Sequence, residues 1–450
     1  MNHKLINSLS FSRHVSLFDL LKQSLCIMRL FTTSTSRTME PYISVKPDYK
    51  RLLVDEDLDI TIHGLKKQQK VSVYAYLNEE NRRYESSGCF VANSDGKVSL
   101  KESQSTSGTY KGISSMGLFW SMVPCSGQRE GIRLTKNNVH TPLSTKLSVF
   151  DGHHNLSKLG TNNQHSPLCD VIVDRWYLDE NVKCTEVVDG NIRGKLFTPS
   201  GPGPFPSVID LYGTTGGILE YRASLLASRG IQTLALPYFK YKDLITDMSE
   251  LQLDYFLDAV EWLSCETGNK RVGVIGLSRG GDLALIIAAY SSKVAAVVNI
   301  NGCAFNSFTP LKHKGGDIEA VKPDPERIEN INGKLAIHKS LNYTEKDITP
   351  VWKGNAKVLN IVGQEDVVTP PSSVQMLKSL YPDNKSDCFK IITYPGAGHI
   401  IDPPYSIFTG MAYHKIFRDY FLYGGVPDKH AFAQEDMWRK TLDFFHKELS

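Results

Sequence analysis

The 450-residue sequence has no apolar run near the ~18 residues that a membrane-spanning helix requires. It has no block of like charges either: 51 basic residues stand against 48 acidic ones, a formal net charge of +3. That balance points to neither nucleic acid nor an anionic membrane surface as a partner. The eight cysteines (26, 89, 125, 169, 184, 265, 303 and 388) are scattered, none in a C-x-x-C pair. They are too sparse for a disulfide scaffold and read as buried or idle thiols of a reducing compartment.

What is present is organised around Arg271 to Leu285, R-V-G-V-I-G-L-S-R-G-G-D-L-A-L. Val272, Val274 and Ile275 read as a buried strand, and Asp282 to Ala289 as a helix. Between them lies G-L-S-R-G, the G-x-S-x-G pattern in its required context of strand, turn and helix. A nucleophilic serine needs a strained turn that exposes its Oγ, and side chains at the flanking positions would collide with the strand and helix. The helix starts beside Ser278, so its first N–H groups point at negative charge developing there. Without partners the pattern would be no more than a glycine-rich turn with a capping serine.

Residues 1 to 38 hold Lys4, Arg13, Lys22, Arg29 and Arg37 against one acid, Asp19, and are rich in Ser and Thr. Basic, acid-poor and amphipathic, the segment is expected to be a mitochondrial transit peptide; no unbroken apolar core marks it as secretory. The alternative is a start at Met39 and a cytosolic protein. Residues 40 to 165 carry period-two runs, Leu58 to Ile62 and Val71 to Tyr76, separated by turn signals. They predict a small antiparallel β-sandwich that covers or packs against the remainder. A polar linker follows Asp151, and from about residue 180 to 450 strands and helices alternate, predicting a mostly parallel α/β sheet.

Gly213-Thr214-Thr215-Gly216-Gly217 follows the predicted strand Ser207 to Tyr212. It is neither a phosphate loop nor a dinucleotide fingerprint, because the Gly-Lys-Ser/Thr ending and the G-x-G-x-x-G spacing are both absent. In an α/β-hydrolase this loop supplies one oxyanion-hole N–H and the residue after the nucleophile supplies the other. The donors are therefore read as the backbone N–H groups of Thr214 and Arg279. Serine needs a base, and the base needs an orienting acid, in the chain order Ser, acid, His. Gln364-Glu365-Asp366 follows the strand Lys357 to Gly363, and His399 lies in the Gly/Pro loop after the strand Phe389 to Thr393. Spacing alone leaves Glu365 and Asp366 both open. The other histidines fall elsewhere: His313 and His338 in a polar insert, His414, His430 and His446 in a C-terminal helical region.

Longer motifs carry a resemblance. In order they are S-M-G-L-F-W (115–120), P-G-P-F-P (202–206), D-L-Y-G-T-T-G-G (210–217) and L-E-Y-R-A-S-L-L-A (219–227). Then come G-L-S-R-G-G (276–281), V-G-Q-E-D (362–366), G-H-I-I-D-P-P-Y (398–405), A-Q-E-D-M-W (433–438) and F-F-H-K (444–447). The chain resembles the acyl-CoA thioesterases homologous to bile acid-CoA:amino acid N-acyltransferase, over nearly everything after residue 40. The resemblance implies an α/β-hydrolase fold, Ser278 as nucleophile, His399 as base and Asp366, rather than Glu365, as the orienting acid. It implies hydrolysis of fatty acyl-CoA through an acyl-serine, with no metal or organic cofactor. The acyltransferase branch of the family carries cysteine in the elbow, so serine at 278 favours water as acceptor. Thr215 and Arg279 depart from the commoner glycine and lysine.

Amide transfer to glycine or taurine, simple ester cleavage and non-catalytic acyl-CoA binding are the competing readings. Lys240, Lys242 and Arg222 are candidates to hold the CoA phosphates, though each reads more simply as a solvated surface charge. The final Lys447-Glu448-Leu449-Ser450 differs from the S-K-L peroxisomal address.

Overall fold

The structure, a computed structural model, describes residues 40–48, 51–160, 166–415 and 417–450. The segment 1–38 read as a transit peptide lies outside the described residues.

The first strands are β1 (Tyr42–Lys46), β2 (Leu52–Leu53), β3 (Asp59–His63), β4 (Lys70–Glu79), β5 (Arg82–Val91), β6 (Val98–Ser99), β7 (Val123–Pro124), β8 (Leu143–Asp151) and β9 (Cys169–Trp176). They form a three-stranded sheet, β1-β3-β6, and a six-stranded sheet, β2-β9-β8-β4-β5-β7. All pairs are antiparallel except the short β2–β9 pair. Alternation explains the sandwich. Ile60 and Ile62 of β3 meet Val71, Val73, Ala75 and Leu77 of β4 in one core, while Tyr74 on the opposite face of β4 packs with Phe150 and Leu159. The six-stranded sheet runs on past residue 165, because Val171 and Val173 of β9 continue the inward row beside Leu147 and Val149 of β8.

The hydrolase part follows with β10 (Lys183–Asp189), β11 (Ile192–Thr198), β12 (Ser207–Leu211), β13 (Gln232–Ala235), β14 (Val272–Leu277) and β15 (Val294–Ile300). An irregular excursion carries β16 (Glu329–Ile331) and β17 (Lys334–Ala336) before β18 (Lys357–Gly363) and β19 (Phe389–Tyr394). Eight strands make one sheet in the order β10-β11-β13-β12-β14-β15-β18-β19. It is parallel from β13 to β19, with β10 and β11 antiparallel at one edge. This is an α/β-hydrolase fold preceded by a small antiparallel β-sandwich.

Helices cover both faces of the sheet, so its central strands β12, β14 and β15 are buried at every position rather than at alternate ones. Val272 and Val274 of β14 pack with the helices Leu253–Thr267 and Arg279–Tyr290, whereas Ile275 and Leu277 pack with Tyr221–Ser228 and Pro427–Leu449.

The C-terminal region differs from expectation at one point. Before the last helix comes a hairpin, β20 (Met411–His414) and β21 (Asp419–Leu422), which joins β16 and β17 in a four-stranded sheet, β16-β17-β21-β20. His414 is thus a strand residue, while His430 and His446 are helical as expected. Polar ties fasten the sandwich to the hydrolase part. Asp55 accepts from Arg229 Nε and from Trp438 Nε1, each at 2.8 Å. Arg133 Nη2 donates to Asp402 Oδ2 at 2.6 Å, and Tyr221 Oη donates to the other oxygen of Asp402 at 3.0 Å.

Candidate active site

β14 ends at Leu277 and the next helix begins at Arg279, so Ser278 makes the whole turn alone. Its backbone sits at φ 57°, ψ −128°, a conformation that costs a non-glycine residue on the order of 1–3 kcal/mol. The surroundings hold it there: Ser278 N–H donates to the Ile300 carbonyl at 2.9 Å, and its own carbonyl accepts from Gly281 N–H at 2.7 Å. The flanking glycines are required by space. A Cβ on Gly276 would lie 1.9 Å from the Gly280 carbonyl oxygen, and one on Gly280 would lie 2.5 Å from that of Leu211.

His399 and Asp366 meet as anticipated from their positions after β19 and β18. His399 Nδ1 lies 2.8 Å from Asp366 Oδ2, with both side chains buried. A carboxylate only accepts, so Nδ1 carries the proton and Nε2 is left as the lone-pair nitrogen. Asp366 is itself fixed: Oδ1 accepts from Val368 N–H at 2.8 Å and Thr369 N–H at 3.1 Å, and Thr369 Oγ1 lies 2.6 Å from Oδ2. Glu365 is exposed beside it.

Ser278 and His399 line the same narrow cavity of about 50 Å³, together with Gly213, Thr214, Thr215 and His414. The loop that starts at Gly213 passes close to the serine, since a Cβ on Gly213 would lie 3.4 Å from Ser278 Oγ. Neither Thr214 N–H nor Arg279 N–H donates to an acceptor among the described residues. Free backbone donors at the start of a helix and in an adjoining loop are the kind of groups that hold an anion. None of the lining residues is a cysteine. The nearby Cys303 is buried, and burial raises its thiol pKa well above the ordinary value.

Three side chains around the site were not singled out by sequence reasoning. His414 Nε2 lies 2.8 Å from Thr214 Oγ1, and burial, with His399 nearby, lowers its pKa to about 4. His430 Nδ1 accepts from Gly398 N–H at 3.1 Å and its Nε2 meets the Ile400 carbonyl at 2.6 Å, bracketing His399. Asn301 Nδ2 donates to the carbonyls of Gly398 and His399 at 2.9 and 2.7 Å, while its Oδ1 accepts from Gly363 N–H at 2.7 Å. The C-terminal end of β18 and the loop after β19 are thereby tied to the end of β15.

The candidate phosphate-holding cations lie differently from expectation. Arg222 is no surface charge: it is wholly buried, its Nε 2.9 Å from Asp210 Oδ1, under the Tyr212 ring. The helix Tyr221–Ser228 lies flat on the sheet, which turns Arg222 inward toward the one carboxylate of β12. Lys242 pairs with Glu186, and Lys240 is exposed. The Arg279 side chain is in the core, 3.3 Å from Asp282 Oδ2 and 3.4 Å from the Thr309 carbonyl. Burial raises the Asp282 pKa to about 6 despite that arginine. Among the described residues, no group of three or more His, Cys, Asp or Glu side chains is arranged to hold a metal ion.

Known proteins resemble the chain over both of its parts. Residues 251–450 match the family described as BAAT / acyl-CoA thioester hydrolase C terminal, and residues 55–189 the acyl-CoA thioester hydrolase/BAAT N-terminal region. Human acyl-coenzyme A thioesterase 1 is 34% identical over 406 residues, 88% of this chain and 94% of its own length. Mouse acyl-coenzyme A amino acid N-acyltransferase 1 is 34% identical over 404 residues, 88% of this chain and 95% of its own length. Human acyl-coenzyme A thioesterase 2, mitochondrial, is also 34% identical, over 88% of this chain and 82% of its own length. The chain belongs to the acyl-CoA thioester hydrolase/BAAT family.

Proposed function

We propose that the protein hydrolyses fatty acyl-CoA to free fatty acid and CoA, with Ser278, His399 and Asp366 as its catalytic residues. The observation that carries the reading is the pairing of a strained serine turn with a buried His399–Asp366 pair around one cavity that Ser278 and His399 both line. Ser278 Oγ attacks the thioester carbonyl carbon as His399 Nε2 takes its proton. The carbonyl oxygen becomes an oxyanion held by the N–H groups of Thr214 and Arg279. The C–S bond then breaks, the CoA sulfur leaves with the proton from His399, and an acyl-serine remains. Water, deprotonated by His399, attacks the acyl carbon, and the fatty acid departs as Ser278 recovers its proton. A thioester is an activated acyl donor with a good leaving group, so these steps need no metal or organic cofactor.

A second reading, transfer of the acyl group to an amino acid such as glycine or taurine, is favoured by the N-acyltransferase relatives. In that case the amine nitrogen replaces water at the acyl-enzyme. Simple ester cleavage or acyl-CoA binding without turnover lack such support.

The test is release of CoA thiol from saturated acyl-CoAs of graded length, with and without glycine or taurine, by the wild type and Ser278→Ala. Release without amine that disappears in Ser278→Ala is the expected outcome. Release that requires the amine and yields the amide selects the transferase. No release under either condition rejects both.

We further propose that residues 1–38 direct mitochondrial import, a reading supported by their basic, acid-poor composition. A fluorescent fusion of residues 1–38 should enter mitochondria, and a chain started at Met39 should not.

A further inference from the structure

A second, larger cleft of about 590 Å³ opens beside the cavity of Ser278. That volume is in the range of sites for cofactor-sized molecules. Arg133, Thr215, Leu219, His414 and Tyr423 line both, so the two are continuous. One wall is the sandwich segment from Arg129 to Asn137, and the other includes β20 with Lys415 just beyond it. Its charge is lopsided. Four cations, Arg82, Arg129, Arg133 and Lys415, line it against one acid, Glu80.

The acid is already occupied, accepting from Arg82 Nη2 at 2.7 Å and Asn137 Nδ2 at 2.6 Å. Arg133 is committed to Asp402 at 2.6 Å. Arg129 and Lys415 are different. Both are exposed, and neither has an ion-pair partner among the described residues. Arg129 is held by the Tyr413 ring, its guanidinium carbon 4.2 Å from the centroid. Stacking over an aromatic face leaves the guanidinium N–H fork free to bind an oxyanion. A protein whose net charge is only +3 thus places unpaired cations along a cleft that adjoins the cavity of its serine.

We propose that this cleft holds the nucleotide end of CoA, with Arg129 and Lys415 as ligands of its phosphates. The inference rests on the acyl-CoA reading and supplies what that reading leaves open. The 3′-phosphate and diphosphate of CoA carry several negative charges at neutral pH and would complement the two free cations. The pantetheine arm would then run past Arg133 and Leu219 to the thioester at Ser278. Lys240 and Lys242 do not line the cleft and have no part in the site.

The test measures the Kd of free CoA and of pantetheine by titration calorimetry, on full-length wild type, Lys415→Ala, Arg129→Ala and Arg129→Lys. Each alanine change is expected to weaken CoA about tenfold, the strength of one charge-assisted contact. The effect on pantetheine, which has none of the phosphates, should be under twofold. Arg129→Lys, which keeps the charge, should lose less than Arg129→Ala, and the wild-type Kd should rise with salt. Unchanged CoA affinity in both alanine variants overturns the proposal, as does equal loss for the two ligands or no CoA binding by the wild type. Lys415 has an exposed side chain, so its variant remains informative if Arg129→Ala fails to fold. If CoA binds as proposed but no thioester is hydrolysed, the catalytic reading falls and this site stands.

Discussion

The imidazole Nε2 of His414 lies 2.8 Å from the hydroxyl of Thr214, a residue 200 positions earlier in the chain. This contact ties the β20–β21 hairpin to the loop whose N–H is proposed to hold the oxyanion. The loop has two glycines at positive φ, Gly216 and Gly217, so its own backbone does little to fix it. Losing one such neutral hydrogen bond costs about 0.5–1.5 kcal/mol, or roughly three- to tenfold in rate if it is expressed in the transition state. His414→Phe and Thr214→Val are each expected to lower kcat for acyl-CoA by that factor. The double variant should be no slower than the slower single one, because both remove the same contact. Additive losses would mean that the two side chains act separately.

Asp366 holds the Nδ1 proton of His399, and three further donors around its carboxylate keep it in place. Asp366→Asn preserves shape but offers an N–H where an acceptor is needed, which favours the wrong His399 tautomer. A loss of kcat of roughly ten-thousandfold is expected, as in serine hydrolases generally. The variant should still fold, by circular dichroism and thermal melting. Activity within tenfold of wild type would remove Asp366 from the mechanism and return attention to its neighbour Glu365.

Ser278, Asp366 and His399 were legible because each closely follows a strand, and strand ends on one edge of a parallel sheet converge in space. Glycine and apolar runs carry that signal in a single sequence. His414 carried no such signal. Its strand spans only Met411–His414 and belongs to a separate four-stranded sheet, and sequence reading placed it among helical residues. Arg222 was misread for a related reason. The sequence shows an arginine in a short helix, where exposure is the ordinary outcome. The carboxylate that draws it inward is Asp210, a lone acid within the apolar run of β12. An acid in a strand buried on both faces demands a partner, and that demand was the available clue.

The Asp210–Arg222 pair gives a stability prediction. Both side chains are fully buried, and burial raises the Asp210 pKa even with the arginine beside it. Arg222→Met leaves a carboxylate with no counterion in the core and should cost roughly 3–5 kcal/mol. Asp210→Leu combined with Arg222→Met removes both charges and is expected to recover most of that loss. Chemical denaturation of the three variants and the wild type measures both quantities. A double variant as unstable as Arg222→Met would mean that packing over the Tyr212 ring, rather than charge, fixes the arginine.

Stability should also depend on pH through the buried histidines. Burial lowers the pKa of His414 from 6.5 to about 4, and lowers that of His430 as well. Both are therefore neutral in the folded protein at pH 7. Once the pH falls below 6.5 the unfolded chain takes up protons at these positions and the folded one does not. The unfolded state then binds more protons, so stability falls with falling pH. The contribution is fully present above about pH 6.5 and, for His414, is lost by about pH 4. Its size for His414 is on the order of a few kcal/mol. Urea titrations between pH 7.5 and 4.5 should show the decline in the wild type and a shallower one in His414→Gln, which has no proton to gain. For His430 the mechanism is sharper, since its Nδ1 accepts from Gly398 N–H and a proton there breaks the bond that holds the His399 loop. Activity should accordingly fall as the pH drops through the lowered His430 pKa, at lower pH than the first loss of urea stability, and a wild type whose stability is flat from pH 7.5 to 4.5 would refute the linkage.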